Sequence, residues 1–179
     1  MRVFVALDIP PGCKQALEQA QQRLLDSQIG GRLAPAQGMH ITLRFLGEQD
    51  EENTQIICNV TQRLFDGQVA PLVQVDGVGA FIRSTGDTVY AKLAGDVEGL
   101  LDLYDALSHT LKQTMGIGLE MRPFTPHITL IRGANYSAAT ERVLFHTQPF
   151  YIPSVTVYQS ILSPQGATYQ PLCKVPLLR

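Results

Sequence analysis

The chain has 179 residues, of which 45% are hydrophobic and 17% charged, a balance that suits one compact domain or two small lobes sharing a core and excludes disorder. No apolar run approaches the ~18–20 residues of a membrane span, so no membrane partner is expected. A net charge of −2 and a pI near 6.0 exclude a grip on long duplexes through many phosphates, so a nucleic-acid ligand should be engaged locally, at an end or a single phosphate.

"MRVFVALDIPPG" opens the chain with apolar residues from Val3 to Ile9, interrupted by Asp8, and has no small-residue cleavage site. It reads as a strand over residues 2–8 that ends in a Pro-Pro-Gly turn, not as a signal peptide, and a cytoplasmic location is expected. Ala16, Leu17, Ala20, Leu24 and Leu25 have helical spacing and predict a helix over residues 12–27, stopped by the glycines of "QIGGR". "MHITLRFL" at 39–46 reads as a second strand, closed by Gly47. Asp50 can cap a helix through Phe65 with Ile56, Ile57, Val60 and Leu64 on one stripe. Segments 71–78, 79–84 and 88–94 are β-rich, and "STGD" predicts a hairpin turn before the last of them. A third helix runs from Asp96 to Met115, with Leu100, Leu103, Leu107 and Leu111 as its buried stripe. "PHITLIR" at 126–132 is the counterpart strand, and 149–162 and 167–175 form strands joined by "SPQG".

This alternation, loosely repeated in the two halves of the chain, predicts an α+β fold. A single domain over residues 1–179 would hold two pseudo-symmetric lobes, antiparallel sheets flanked by helices, with an active-site cleft between them. Cys13, Cys58 and Cys173 are far apart and form no CxxC pair, so free thiols are expected, with neither a disulfide framework nor a zinc site.

The tetrapeptide "HITL" occurs at 40–43 and again at 127–130. Repetition alone carries little weight, so the chemistry must. Residues i and i+2 share one face of a strand. His40 and Thr42 therefore point one way, with Arg44 continuing the row, while Ile41, Leu43 and Phe45 point into a core. His127 and Thr129 repeat the arrangement over Ile128 and Leu130. Each copy sets an imidazole and a hydroxyl about 6.5–7 Å apart. Two such strands face to face suit phosphodiester hydrolysis, which needs one group to take a proton from water and another to protonate the leaving oxygen. An imidazole with a pKa near 6.5 can do either at neutral pH, and the hydroxyls can hold phosphate oxygens. Two histidines supply only two metal ligands, and no HExxH or cysteine cluster completes a site, so neither a metal nor a cofactor is expected. His109 and His146 lack this context and read as surface or structural residues.

"RVFVALDIPP", "MHITLRFLGE", "GVGAF", "FTPHITLIR" and "VYQSILSPQGATYQPL", in this order, resemble the motif blocks of the 2H phosphoesterase superfamily. Within it the chain looks like the RNA 2′,3′-cyclic phosphodiesterase, or 2′–5′ RNA ligase-like, family. The resemblance implies that His40 and His127 are catalytic and that Thr42 and Thr129 bind the phosphate. It further implies that the first-motif His40 is the acid on O3′, that His127 is the base on water, and that the product is a 2′-phosphomonoester. The identical motifs leave that direction open in the residues themselves. Arg132 matches a phosphate-contacting arginine of the family, yet strict alternation puts it opposite His127, so it needs a bulge to reach the site. Arg44 is the second arginine candidate. Phe45 and Phe124 could stack on a base but are assigned to the core, and Tyr90 and Tyr169 are weaker pocket candidates. The substrate implied is an RNA end or a cyclic nucleotide, with 2′–5′ ligation as the reverse reaction and a monomer as the acting species. The alternatives are a non-catalytic nucleotide- or RNA-end-binding module and a 2H enzyme for another substrate, such as 2′–5′ oligoadenylate.

Overall fold

The computed structural model describes all 179 residues. In chain order its elements are β1 (Arg2–Leu7), α1 (Pro11–Asp26), β2 (Arg32–Leu33), β3 (Ile41–Glu48), α2 (Glu51–Phe65), β4 (Leu72–Phe81) and β5 (Asp87–Gly95). They continue with α3 (Val97–Met115), β6 (His127–Ala134), α4 (Ala138–Glu141), β7 (Phe150–Tyr151), β8 (Ser154–Ser163) and β9 (Gly166–Pro176). One sheet has the order β3-β1-β8-β9 and the other β2-β6-β5-β4-β7, with every neighbouring pair antiparallel. No helix is long and apolar enough to cross a membrane.

The α+β architecture with two antiparallel sheets and flanking helices is the expected one. Each sheet carries one HITL strand, β3 in the first and β6 in the second. The sheets are not, however, the two halves of the chain. The C-terminal hairpin β8–β9 returns to pair with β1, and the short β2 crosses to the edge of β6. Local periodicity cannot reveal such exchanges, because the partner strand is far away in sequence. The segments 71–78 and 79–84 also merge into the single strand β4, whose register shifts between Val75 and Val78 around Gly77. The segment 149–162 is divided into β7 and β8, and the short β2 and the single-turn α4 were not anticipated.

The helices form where capping and spacing agree. Asp50 caps α2 by accepting from the Asn53 amide at 2.7 Å, and Asp96 caps α3 by accepting from the Gly99 amide at 3.0 Å. Leu100, Leu103, Leu107 and Leu111 are buried along α3, as their spacing requires. Helix α1 buries Leu17, Ala20 and Leu24 and also Gln21. The Gln21 amide donates to the carbonyls of Ala34 (2.7 Å) and Leu130 (3.0 Å), which fastens α1 to the second HITL strand. One contiguous core takes Leu7, Ile41 and Leu43 from the first sheet and Ile128, Leu130 and Ile131 from the second.

The cysteines correct the sequence reading. Cys58 of α2 and Cys173 of β9 form a disulfide with their Cα atoms 6.1 Å apart, and only Cys13 is free. The two are separated by 115 residues and meet because α2 packs across β8 and β9. Cys13 is buried, and burial pushes its thiol pKa up to about 11, so it is an unreactive core residue. Closing so long a loop restricts the unfolded chain. Replacing both Cys58 and Cys173 by serine should lower unfolding free energy by on the order of 2–5 kcal/mol. Denaturant curves that coincide with and without reductant would show that the bond contributes nothing.

Candidate active site

His40 immediately precedes β3, and His127 begins β6; these two strands approach each other across the sheets. The backbone holds the two rings alike. His40 Nδ1 lies 2.6 Å from the carbonyl of Gly38, and His127 Nδ1 lies 2.8 Å from the carbonyl of Thr125. A carbonyl can only accept, so each Nδ1 carries the proton and donates to the residue two positions earlier. Each Nε2 is therefore left to act on a ligand. On the first strand the Thr42 hydroxyl donates to His40 Nε2 at 2.8 Å.

The aromatic surroundings repeat as well. Phe4 meets the His40 ring with centroids 5.0 Å apart, and Phe81 meets the His127 ring at 5.0 Å. Tyr169 lies edge-on to His40 at 5.3 Å, and Tyr90 lies against His127 at 5.3 Å. A glycine makes room for each tyrosine. A Cβ at Gly38 would come within 3.0 Å of the Tyr169 ring, and one at Gly79 within 2.8 Å of the Tyr90 ring. Burial by these rings lowers both imidazole pKa values, that of His40 to about 4, because the charged form loses its water. Hydrogen bonds from Nδ1 to the carbonyls oppose the shift in both, and the Arg132 charge adds to it in both.

A bulge returns Arg132 to the face of the histidines. Tyr90 pairs with Thr129 while Val89 pairs with Ile131, so Leu130 is an extra residue on β6. Leu130 and Ile131 are then both buried, and Arg132 returns to the His127 face, exposed to solvent. The first motif bulges at the matching position: Ala6 pairs with Thr42 and Val5 with Arg44, leaving Leu43 extra.

That bulge overturns the placement of Arg44, which simple alternation put beside His40 and Thr42. Arg44 is 4% exposed and points into the opposite side of the sheet. It donates to Ser108 Oγ (3.0 Å) and to the Gly118 carbonyl (2.9 Å), and its Nε forms an ion pair with Glu120 at 3.2 Å. It braces α3 and the loop after it and does not reach the site. Phe45 moves the other way. Assigned to the core by alternation, it is 69% exposed and packs on Phe4 at 5.7 Å between ring centroids. Phe124 is stacked on Tyr104 at 4.4 Å and packs against the core, as assigned. His109 and His146 are exposed outside the site.

Several site residues were missed by the sequence reading. Asp8 accepts hydrogen bonds from the hydroxyls of Ser154, Thr156 and Tyr158, three residues that alternate along one face of β8. Tyr158 stacks on Phe4 at 5.4 Å, which joins this cluster to the His40 ring. Burial and the Asp8 carboxylate push the Tyr158 phenol pKa up, so it remains a hydrogen-bond donor. The Asp8 charge favours the imidazolium form of His40. The signal was available in "SVTVY", where polar residues alternate on a strand that would otherwise be expected to bury them, and in "RVFVALD", where Phe4 falls opposite Val3 and Val5.

One imidazole stands beside a strand of each antiparallel sheet, with its Nδ1 tied to a carbonyl, an arrangement suited to phosphoester chemistry, and comparison with known proteins gives the family. The family model described as LigT like Phosphoesterase matches residues 7–90. The RNA 2′,3′-cyclic phosphodiesterase of Aeropyrum pernix is 31% identical over 78% of this chain and 82% of its own length. The protein of the same name from Thermotoga maritima is 28% identical over 96% of this chain and 93% of its own. The crystal structure of Escherichia coli LigT complexed with 3′-AMP superposes with a TM-score of 0.82 at 25% identity, covering 99% of this chain and 98% of that one. The chain belongs to the LigT-like phosphoesterase family, within the 2H superfamily.

The depressed His40 pKa has a consequence for stability. Above pH 6.5 the ring is neutral in both folded and unfolded chains. As the pH falls from 6.5 towards about 4, the unfolded chain binds a proton that the folded site refuses, so stability is lost across that window and levels off below it. The loss should reach up to ~3 kcal/mol from this residue. It should be largely absent in His40→Gln, as measured by urea unfolding at pH 7.5, 5.5 and 4.5. Parallel pH profiles for the two proteins would refute the shift.

Proposed function

We propose that this chain hydrolyses the 2′,3′-cyclic phosphate of an RNA end or a nucleotide to a 2′-phosphomonoester by acid–base catalysis between His40 and His127. The observation that carries the reading is the matched preparation of the two rings. Each has Nδ1 tied to the carbonyl two residues earlier, leaving Nε2 to transfer a proton, and each has a threonine two residues later. A binding site has no need of two such groups. The names of the relatives and the 3′-AMP bound in Escherichia coli LigT support the same substrate class.

In the reaction, water attacks phosphorus and the P–O3′ bond breaks. The neutral imidazole of His127 takes the proton from water, and the imidazolium of His40 gives a proton to O3′. The Asp8 charge acts on His40, which supports giving the acid role to that ring. Thr42 and Thr129 donate to the non-bridging oxygens, Thr42 turning from His40 Nε2 to the phosphate as it does so. Arg132, whose charge is felt by both rings, neutralises the anionic phosphate. Offsetting that positive charge and adding the phosphate's negative charge both raise the histidine pKa values, so substrate itself promotes protonation of the acid. The two sheets act as lobes of one domain over residues 1–179, as a monomer in the cytoplasm, and reversal of the chemistry would join RNA ends through a 2′–5′ bond. The scheme calls for neither a metal nor another cofactor, because the two imidazoles supply both proton transfers.

Turnover of a panel of 2′,3′-cyclic nucleotides and cyclic-phosphate RNA, with the product position assigned by phosphorus NMR, tests the reading directly. His40→Ala and His127→Ala should each lower kcat by roughly 10²–10⁴, with the double variant little worse than either. Thr42→Ala or Thr129→Ala should cost on the order of 1–3 kcal/mol of transition-state binding. Full activity in either histidine variant, or activity abolished by EDTA and restored by a divalent ion, would end the proposal.

The pH profile separates free from bound enzyme. Because both free histidines titrate below their ordinary range, the alkaline limb of kcat/KM should fall from below pH 6.5. The corresponding limb of kcat, measured with phosphate bound, should lie higher. A kcat/KM limb above pH 7.5 would contradict the desolvated site.

A further inference from the structure

Beside His127 a cleft of about 450 Å³ is lined by Ala80, Phe81, Ile82, Arg83 and Arg122. Phe81 is its link to the chemistry, since the same ring packs on His127 with centroids 5.0 Å apart. The cleft thus begins about one aromatic ring from the reacting centre. Both guanidinium groups are exposed, and neither is in a salt bridge. The acidic neighbours are already engaged. Asp87 accepts from the backbone amides of Arg83 (3.0 Å) and Tyr136 (2.9 Å), and Glu120 accepts from Tyr104 (2.9 Å) and pairs with Arg44 (3.2 Å). On a chain of net charge −2, two free arginines facing one small cleft are a local concentration of positive charge that its surroundings do not neutralise.

We propose that this cleft is a second phosphate site, which takes the phosphodiester on the 5′ side of the terminal nucleotide. The preferred substrate is then a chain of at least two nucleotides ending in a 2′,3′-cyclic phosphate, not a cyclic mononucleotide. This rests on the reading of His40 and His127 given above. The chemistry fits the occupant. Arginine presents a planar fork that matches two phosphate oxygens, and the hydrogen bond that Asp87 accepts from the Arg83 amide fixes the hairpin that carries Arg83. Ile82 is 67% exposed on the cleft wall and offers an apolar face to the preceding nucleoside. Such a site binds the body of the substrate without touching the reacting phosphorus, so it acts through KM and leaves the chemical step alone.

The test compares adenosine 2′,3′-cyclic monophosphate with adenylyl-adenosine 2′,3′-cyclic phosphate on the wild-type chain and on the double variant Arg83→Ala/Arg122→Ala. Wild type should favour the dinucleotide by about tenfold in kcat/KM, and the variant should lose that preference through KM, with mononucleotide turnover changed less than about twofold. The salt dependence of kcat/KM for the dinucleotide should flatten in the variant, by a slope of about 0.7 for each phosphate that is no longer neutralised. The Arg83→Lys/Arg122→Lys pair should recover part of the preference, since lysine keeps the charge and loses the fork. Equal losses on both substrates, or an unchanged preference, would overturn the proposal. If wild type turned over neither substrate, the hydrolytic reading would fall by itself. The cleft would then be judged by calorimetry with 2′-phosphorylated adenylyl-adenosine and 2′-AMP: a weakened Kd for the dinucleotide alone would keep the second site, and equal Kd changes would remove it.

Discussion

The extra residue at the end of each HITL motif decides which of the following side chains share the face of the histidine. A β-strand alternates its faces, so a two-residue motif is followed by a third group on the same face at i+4 unless the ladder slips. Here it slips at Leu43 and again at Leu130. Each slip sends two successive residues into the interior, Leu43 and Arg44 on β3, Leu130 and Ile131 on β6. It also returns the next residue, Phe45 or Arg132, to the histidine face. The two bulges are equivalent in position, and the residues they deliver are not. One lobe gains an aromatic ring and the other a guanidinium. The buried slots they create also differ: Ile131 joins the core as an apolar residue, while Arg44 needs Ser108, Gly118 and Glu120 to satisfy its charge.

The same crowding that fixes the histidines also keeps them uncharged. Phe4 and Tyr169 on one ring, Phe81 and Tyr90 on the other, remove water that an imidazolium would need. Arg132 adds repulsion. A site in this state holds two neutral bases and has no resident acid near neutral pH. A bound anion would offset Arg132 and so favour a proton on the pair. Desolvation therefore makes the protonation state depend on the ligand, which suits a hydrolase whose substrate carries the needed charge. The cost is stability in acid, where the unfolded chain gains protons that the folded site excludes.

Much of this was legible in the residues. The HITL words drew attention to both histidines and both threonines, and the period-2 rule put Thr42 on the face of His40, where it donates to Nε2. The three long helices followed from apolar spacing and from Asp50 and Asp96 as caps. What failed was long-range. The pairing of β8 with β1 and the Cys58–Cys173 bond depend on contacts across more than a hundred residues, for which no local pattern exists. The bulge was invoked for Arg132, where alternation conflicted with the resemblance, but not for Arg44, where alternation raised no conflict. Both strands carried the same irregularity. The pseudo-symmetry of the motifs was itself the missing clue, since an irregularity needed by one copy is expected in the other.

Identical motifs raise the question of what breaks their symmetry. The Nδ1 anchoring does not, since it is alike in the two copies, but only His40 Nε2 accepts from its trailing threonine. A further difference lies in what stands behind each ring. His40 is backed, through Phe4 and Tyr158, by the Asp8 carboxylate with its three hydroxyl donors, a fixed negative charge that favours holding a proton. His127 is backed by Phe81, and no carboxylate charge acts on it. Arg132 disfavours the imidazolium at both rings, so it does not distinguish them. The Asp8 carboxylate does: it favours a proton on His40 and has no counterpart at His127, against a burial that opposes the charge on either ring.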